Sequence, residues 1–502
     1  MVRKIISLLL LMAIFAGCSQ SDDEKPANGT EGEIRYVGVS GRLSPVVYFY
    51  VAIESGSAND PDGKEGLAWF TANFLRRGTE SYSRQEIDNR LEYLGGKLNI
   101  RVDREVIEIS GQTLLENLDE YYAIFSDIIL NPAFPRKEAE NLRSDQKQAL
   151  KDIIRDDAEL SQAALLFYLY RNHPYSHPVE GTFSSISTIS ADNARDFYQS
   201  HFLKGNIICG LAGNYSDDFA QSFQKDMAAL PAGTVEREHP QIAKPAKRKV
   251  ILVHKEGRDQ AQIRMGRIVS YNRGDSVWYP LMVANTYLGQ HRESFGRLFQ
   301  TIRAERGMSY GAYSYHEHFQ QAGWSKNPMP LIPFQSQYFS IWTYPKKDNV
   351  EFAIKMAIYE LDKLIWEGID AERLEKIKSF QINYFPFLIE TPFQRLAMAL
   401  EEICYDVPNF AENYGDNVAS VNQADLISAV SRHWSSDDLT IVVIADNTEE
   451  LKAELLTLET DLNLPKGATG EGLEDVNNLV KNLDLALKPE DIVIVDAEEL
   501  FH

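Results

Sequence analysis

One order of elements runs through this chain twice, and that repetition narrows the folds open to it more than any other feature. Val46 to Ile53 favours β-branched and aromatic residues, then the chain turns through Gly56, Asn59, Pro61 and Gly63 into a helical pattern with Leu67, Phe70 and Phe74. After Gly95 and Gly96 come two strand-like stretches, Lys97 to Val102 and Val106 to Gln112. A helix near Leu115 to Leu130 follows, then a loop at Asn131 and Pro132 and a second helix from Arg136. The second copy reads as a strand near Gln262 to Val269, helices Trp278 to Leu288 and Phe295 to Glu305, and strands near Tyr310 to Tyr315 and Tyr338 to Tyr344. Asp348 to Trp366 is amphipathic, Gly368 breaks it, and Asp370 opens another helix through Leu374 and Ile377. The fold class expected is therefore α+β, with two homologous mixed α/β sandwich domains from a duplicated unit of roughly 200 residues. A chain of 502 residues, 44% hydrophobic, is long enough to bury more than one core.

The boundaries predicted are 34–238 for the first domain, 249–462 for the second and 463–502 for an acidic C-terminal extension that ends in a strand-like Ile492 to Val495. The joint falls near Val235 to Arg248, where Pro240, Pro245 and basic residues interrupt the apolar pattern. Residues 1–18 read as a targeting segment: Arg3 and Lys4 give positive charge, and Ile5 to Ala16 form an apolar stretch too short to span comfortably as a mature helix. Its end, Phe15-Ala16-Gly17-Cys18, resembles a bacterial lipobox, which marks Cys18 for lipidation. Residues 19–33 form a flexible tether rich in Ser, Asp, Glu and Gly, and Ser21-Asp22-Asp23-Glu24 resembles surface-export signals. The expectation is a lipoprotein of the cell envelope, anchored to a bacterial membrane, the outer one, with its body in the periplasm or at the cell surface. Cys209 and Cys404 lie in different halves and read as core residues, not as a disulfide framework. With 51 basic against 73 acidic residues, the net charge of −22 repels phosphate backbones, which argues against a nucleic-acid partner.

The run Gly66-Leu67-Ala68-Trp69-Phe70-Thr71-Ala72-Asn73-Phe74-Leu75-Arg76-Arg77-Gly78-Thr79, entered through Asp60, Pro61, Lys64 and Glu65, resembles the signature helix of the insulinase/pitrilysin metallopeptidase family. In active members that helix carries His-x-x-Glu-His, because residues four apart share a helix face and present two imidazoles to one zinc ion. The resemblance puts Trp69 at the first histidine, Ala72 at the catalytic glutamate and Asn73 at the second histidine. An indole offers a metal no lone pair, alanine accepts no proton, and an amide oxygen is a poor zinc ligand beside imidazole. For the third ligand, a glutamate on a later helix, the nearest carboxylate in sequence is Asp152, and one carboxylate does not hold zinc alone. The expectation is that this chain binds no metal and has no cofactor of its own. Asn172-His173-Pro174-Tyr175 and Pro178-Val179-Glu180-Gly181-Thr182 resemble the family's following loop. His173 and His177, like His316 and His318 at i,i+2, are read as structural before they are read as ligands.

The second copy holds Phe295-Gly296-Arg297-Leu298-Phe299-Gln300-Thr301-Ile302-Arg303-Ala304-Glu305-Arg306-Gly307-Met308-Ser309-Tyr310-Gly311, which resembles the family motif in which an arginine and a tyrosine seven residues later assist catalysis. Arg303 and Tyr310 match that spacing. A guanidinium grips a peptide carbonyl, and a phenol donates to a developing oxyanion. The resemblance, over roughly Ile34 to Ala445, implies half of a peptidase clamshell. It further implies a zinc-free subunit whose Arg303 and Tyr310 serve a homologous zinc-bearing partner acting on a peptide substrate. The alternative is a peptide-binding or structural lipoprotein on the same fold, without hydrolysis.

Overall fold

The computed structural model describes residues 33–41, 44–235, 242, 247–319, 330–458 and 472–502. Cys18, the targeting segment and almost all of the tether lie outside the described residues, as does most of the joint. The first unit runs β1 (Arg35–Ser40), β2 (Val46–Ile53), α1 (Leu67–Phe74), α2 (Arg84–Tyr93), β3 (Lys97–Val102), β4 (Ile107–Leu114), α3 (Leu118–Leu130), α4 (Arg136–Arg155), α5 (Asp157–Leu169), α6 (Phe183–Ile186), α7 (Ala191–His201), β5 (Ile207–Gly213) and α8 (Asp217–Met227). The second runs β6 (Lys249–His254), β7 (Gln262–Val269), α9 (Trp278–Gly289), a π-helical turn (Phe299–Ala304), β8 (Ser309–Tyr315) and β9 (Gln337–Pro345). It continues through α10 (Val350–Glu367), α11 (Ala371–Leu388), α12 (Pro392–Cys404), α13 (Phe410–Ser420), α14 (Gln423–His433), β10 (Thr440–Ala445), α15 (Thr448–Leu455), α16 (Leu473–Lys481) and β11 (Ile492–Asp496).

Duplication extends to strand order and direction. The first sheet is ordered β1-β5-β2-β4-β3 and the second β11-β6-β10-β7-β9-β8. β1 lies parallel to β5 as β6 does to β10, and the pairs β5/β2, β2/β4 and β4/β3 are antiparallel, as are β10/β7, β7/β9 and β9/β8. The added strand β11 corrects the sequence-based view of 463–502 as an extension. It pairs in parallel with β6 from Ile492↔Val250 to Asp496↔His254, so the tail from Gly472 onward closes the edge of the second sheet. The strand itself is legible in Ile492 to Val495, but its pairing with β6 is a tertiary property.

β5 and β10 are buried along their whole length, which is why each reads as an unbroken apolar run instead of an alternating one. Both faces of each sheet are covered, and the second cover is exchanged between the units. α5 of the first unit packs on β7 and β10 through Leu160, Ala164 and Leu165, against Val253, Ile268 and Ile444. α12 of the second unit packs on β1, β5 and β2 through Leu396, Ala397 and Leu400, against Val37, Ile208 and Ala212. Glycine makes room at both contacts. A Cβ on Gly210 would lie 2.5 Å from Leu396 Cδ1, and one on Gly266 would lie 2.9 Å from Leu165 Cδ2.

Candidate functional site

α1 begins at a closely packed glycine. Gly66 takes φ +91, and a Cβ there would come within 2.4 Å of Glu180 O, so a side chain is excluded on two counts. The Asp60 carboxylate accepts from Gly66 N (2.6 Å) and Ala68 N (2.7 Å), capping the helix, and burial raises its pKa well above the usual carboxylate range. From α4, Gln146 Nε2 donates to Gly66 O (2.8 Å) and Glu180 O (2.9 Å).

Beyond that entrance Leu67, Ala68, Phe70, Thr71, Ala72 and Phe74 are buried, while Trp69 and Asn73 are half-buried one turn apart. The Asn73 side-chain amide donates to Trp69 O (2.9 Å), spending itself on the helix's own carbonyl. Asp152 is not gathered with them. The inward face of α4 is Ala139, Leu142, Gln146 and Leu150; at 3.6 residues per turn, Asp152 stands about 200° round from Leu150. It is exposed, accepting from Gln148 Nε2 (2.8 Å) and paired with Arg155 (3.4 Å). Trp69, Ala72, Asn73 and Asp152 therefore do not fit a zinc ion. Among the described residues no three His, Cys, Asp or Glu side chains gather as metal ligands.

The histidines are held in other ways. His173 Nδ1 accepts from Tyr175 N (3.1 Å), and burial lowers its pKa to about 4. His177 Nδ1 lies 2.8 Å from Pro178 O. His316 and His318 follow the end of β8, both buried, both lowered to about 4 by burial.

The structure brings Arg303 and Tyr310 into contact. In place of the regular helix expected over Phe295 to Glu305, the segment Phe299–Ala304 is a π-helical turn, with Glu305 N donating to Gln300 O (2.9 Å) five residues back. Gly307, at φ +60, donates its N–H to Arg303 O (2.8 Å) and reverses the chain into β8. Arg303 Nη1 donates to Tyr310 O (2.9 Å), and its guanidinium carbon sits 3.9 Å from the centre of the Tyr310 ring and 4.8 Å from that of Phe299. The cation is thus layered between two rings, and Tyr310 stays 67% exposed. Phe299, an aromatic four residues before the arginine, was not singled out from sequence; only the π turn reveals its part. Arg306, three residues on, is 1% exposed and bonds Asn477 Oδ1 (2.8 Å) and Thr301 O (2.7 Å), a structural role tying the turn to α16.

Comparisons with known proteins agree with this architecture. Residues 40–183 match the family described as insulinase (peptidase family M16), and residues 188–380 match the description peptidase M16 inactive domain. A protein of Helicobacter pylori named non-peptidase homolog YmxG is 21% identical over 446 residues, covering 88% of this chain and 99% of that protein. The uncharacterized zinc protease YmxG of Bacillus subtilis is 25% identical over 280 residues, covering 54% of this chain and 65% of that protein. Among solved structures, a peptidase M16 inactive domain from Pseudomonas fluorescens superposes with a TM-score of 0.74 at 19% identity, over 84% of this chain and 97% of the other. The first half of the periplasmic protease PqqL from Escherichia coli gives 0.66 at 15% identity, over 94% and 100%.

Proposed function

Since the chain belongs to the insulinase family of peptidases (family M16) and lacks its zinc motif, we propose that it is the zinc-free subunit of a two-chain metalloendopeptidase. Its part is to hold a peptide substrate with Arg303 and Tyr310 while a homologous partner supplies the zinc. One observation carries the reading. On the resemblance, Trp69 and Asn73 stand at the two histidine positions and Ala72 at the catalytic glutamate, whereas the Arg303 guanidinium lies over the Phe299 and Tyr310 rings with Tyr310 left exposed. In this role the Arg303 guanidinium grips a peptide carbonyl, and the Tyr310 phenol donates to the oxyanion that develops during cleavage. Neither group activates water, so hydrolysis by this chain alone is not part of the proposal. Lipidation at Cys18 and a body held at the outer membrane complete it; no helix among the described residues is long and apolar enough to cross a membrane.

The test is peptidase activity of the body, from Asp22 onward, alone and mixed with a homologue that carries His-x-x-Glu-His. Activity in the mixture only, reduced at least a hundredfold by Arg303→Ala and by Tyr310→Phe, is the expected result. A stable complex whose activity ignores both substitutions would replace the proposal with a peptide-binding or structural role. Activity of the body alone would contradict the absence of a metal site.

A further inference from the structure

The second unit holds a half-open cavity of about 230 Å³ that the proposed peptidase role does not use. It lies between α9, α11, α12, α13 and the residues that follow β8, and its wall is rich in rings, among them Trp278, Phe385, Phe393, Phe410 and Tyr414. These rings brace one another: Trp278 meets Phe410 edge-on at 5.6 Å, and Phe385 stacks on Tyr414 at 3.9 Å. An apolar cavity of about 150 Å³ accommodates benzene, so this one has room for a substituted ring.

Among the described lining residues, Arg273 is paired with both Glu317 (2.8 Å) and Glu401 (2.6 Å). His316 is neutral at pH 7, because burial pushes its pKa down to about 4. Among the described lining residues the guanidinium and both carboxylates are thus already paired, which favours an uncharged ligand. Polar satisfaction is uneven. Thr286, Gln290, Gln381 and Tyr414 bond to one another. Asn285 is 6% exposed, however, and its Oδ1 has no hydrogen-bond partner among the described residues. An orphaned buried acceptor is rare in a folded protein, and one at a cavity wall marks where a ligand's O–H or N–H is accommodated. Half-buried Tyr384, Phe393, Gln394 and Met398 also line it. Tyr384 stacks on Phe380 at 5.4 Å, and Phe380 meets Phe295 at 5.0 Å, so a path of rings joins the cavity to the segment that carries Arg303.

We propose that this cavity binds an uncharged aromatic group bearing a hydrogen-bond donor, of the size of a phenol, with its ring among Trp278, Phe385 and Tyr414 and its donor on Asn285 Oδ1. The source is either a free small aromatic molecule or the tyrosine side chain of a peptide. The proposal needs no partner chain and no zinc, so it stands or falls apart from the peptidase reading.

The test titrates p-cresol, toluene and a tyrosine-containing pentapeptide into the intact chain, followed by calorimetry and ligand-observed saturation-transfer NMR. Asn285→Leu removes the acceptor, and Met398→Trp fills part of the cavity. Saturable one-to-one binding of p-cresol is expected, at least tenfold weaker in both variants, with toluene at least fivefold weaker than p-cresol. Binding of the pentapeptide, lost when its tyrosine becomes alanine, identifies the side-chain source; binding of p-cresol without the peptide identifies the free molecule. No saturable binding of p-cresol, or binding indifferent to both variants, overturns the site, and toluene binding as tightly as p-cresol overturns the role of Asn285. Should Asn285→Leu fail to fold by circular dichroism, Met398→Trp, at a half-buried position, decides alone.

Discussion

Gln146, fully buried on α4, ties that helix to the entrance of α1. Its Nε2 donates to two carbonyl oxygens, Gly66 O and Glu180 O, at the entrance to α1. A carboxylate at this position would set its own oxygens against those two carbonyl acceptors in a fully buried site. Gln146→Glu is therefore expected to cost about 2–4 kcal/mol, as a lower urea midpoint at unchanged slope; an unchanged midpoint would show that the two carbonyls do not depend on it. Histidine burial gives a second prediction at this scale. The pKa of His316 in the folded chain is about 4, set by burial, against about 6.5 when unfolded. Below pH 6.5 the unfolded chain takes up a proton that the folded chain refuses, so this contribution is intact above 6.5 and fades as pH falls toward 4. Between pH 7 and pH 5 the loss is about 2 kcal/mol for this group, and His316→Gln should lose that much less over the same interval. Equal losses for parent and variant in urea titrations at the two pH values would contradict the assignment.

The exchanged helices determine whether each unit's sheet is covered on both faces, and the glycines beneath them set how closely they approach. A Cβ on Gly210 would also lie 2.7 Å from Val37 O, a backbone atom that cannot swing aside as Leu396 can. Gly210→Ala is expected to cost about 1–3 kcal/mol by overpacking, whereas Gly415→Ala, inside α13 with open space around it, should gain about 0.5–1 kcal/mol. A thermal-shift series that ranks the two the other way would undo the close-packing argument. Strands and helices were legible in sequence because their apolar periods differ, and the duplication because those periods recur in one order. The exchange was not. An amphipathic pattern tells which face of α12 is apolar but not that Leu396 and Leu400 seek the other unit's sheet. Nor does an i→i−5 hydrogen bond have a residue signature, so the π turn that layers Arg303 between Phe299 and Tyr310 could not be read from spacing. Trp69, Ala72 and Asn73 could be placed on the motif from sequence because a helical frame fixes the spacing of its positions. Asp152 was misplaced because its phase on α4 follows from which residues are buried, and that is a tertiary property.

At the scale of the whole molecule, the two units pack into one body because each lends the other a helix and polar contacts join them. Arg101 donates to Pro330 O (2.6 Å), Glu105 accepts from Phe334 N (2.9 Å) and Gln335 N (3.1 Å), and Asp157 pairs with Lys255 (2.5 Å) and Arg258 (2.6 Å). Removing α12 from the first sheet would uncover Val37, Ile208 and Ala212, and removing α5 from the second would uncover Ile251, Ile268 and Val442. Separation thus exposes apolar surface on both sides at once, at about 25 cal/mol per Å². A protease site placed between residues 236 and 246 and then cut should leave the halves together on gel filtration, parting only in denaturant. Calorimetry of the uncut chain should give a single transition with equal calorimetric and van't Hoff enthalpies. Halves that elute apart, or two resolved transitions, would mean that the exchanged helices contribute little. One transition would mean that any partner meets this chain as one cooperative half, with Arg303 and Tyr310 already placed relative to α1.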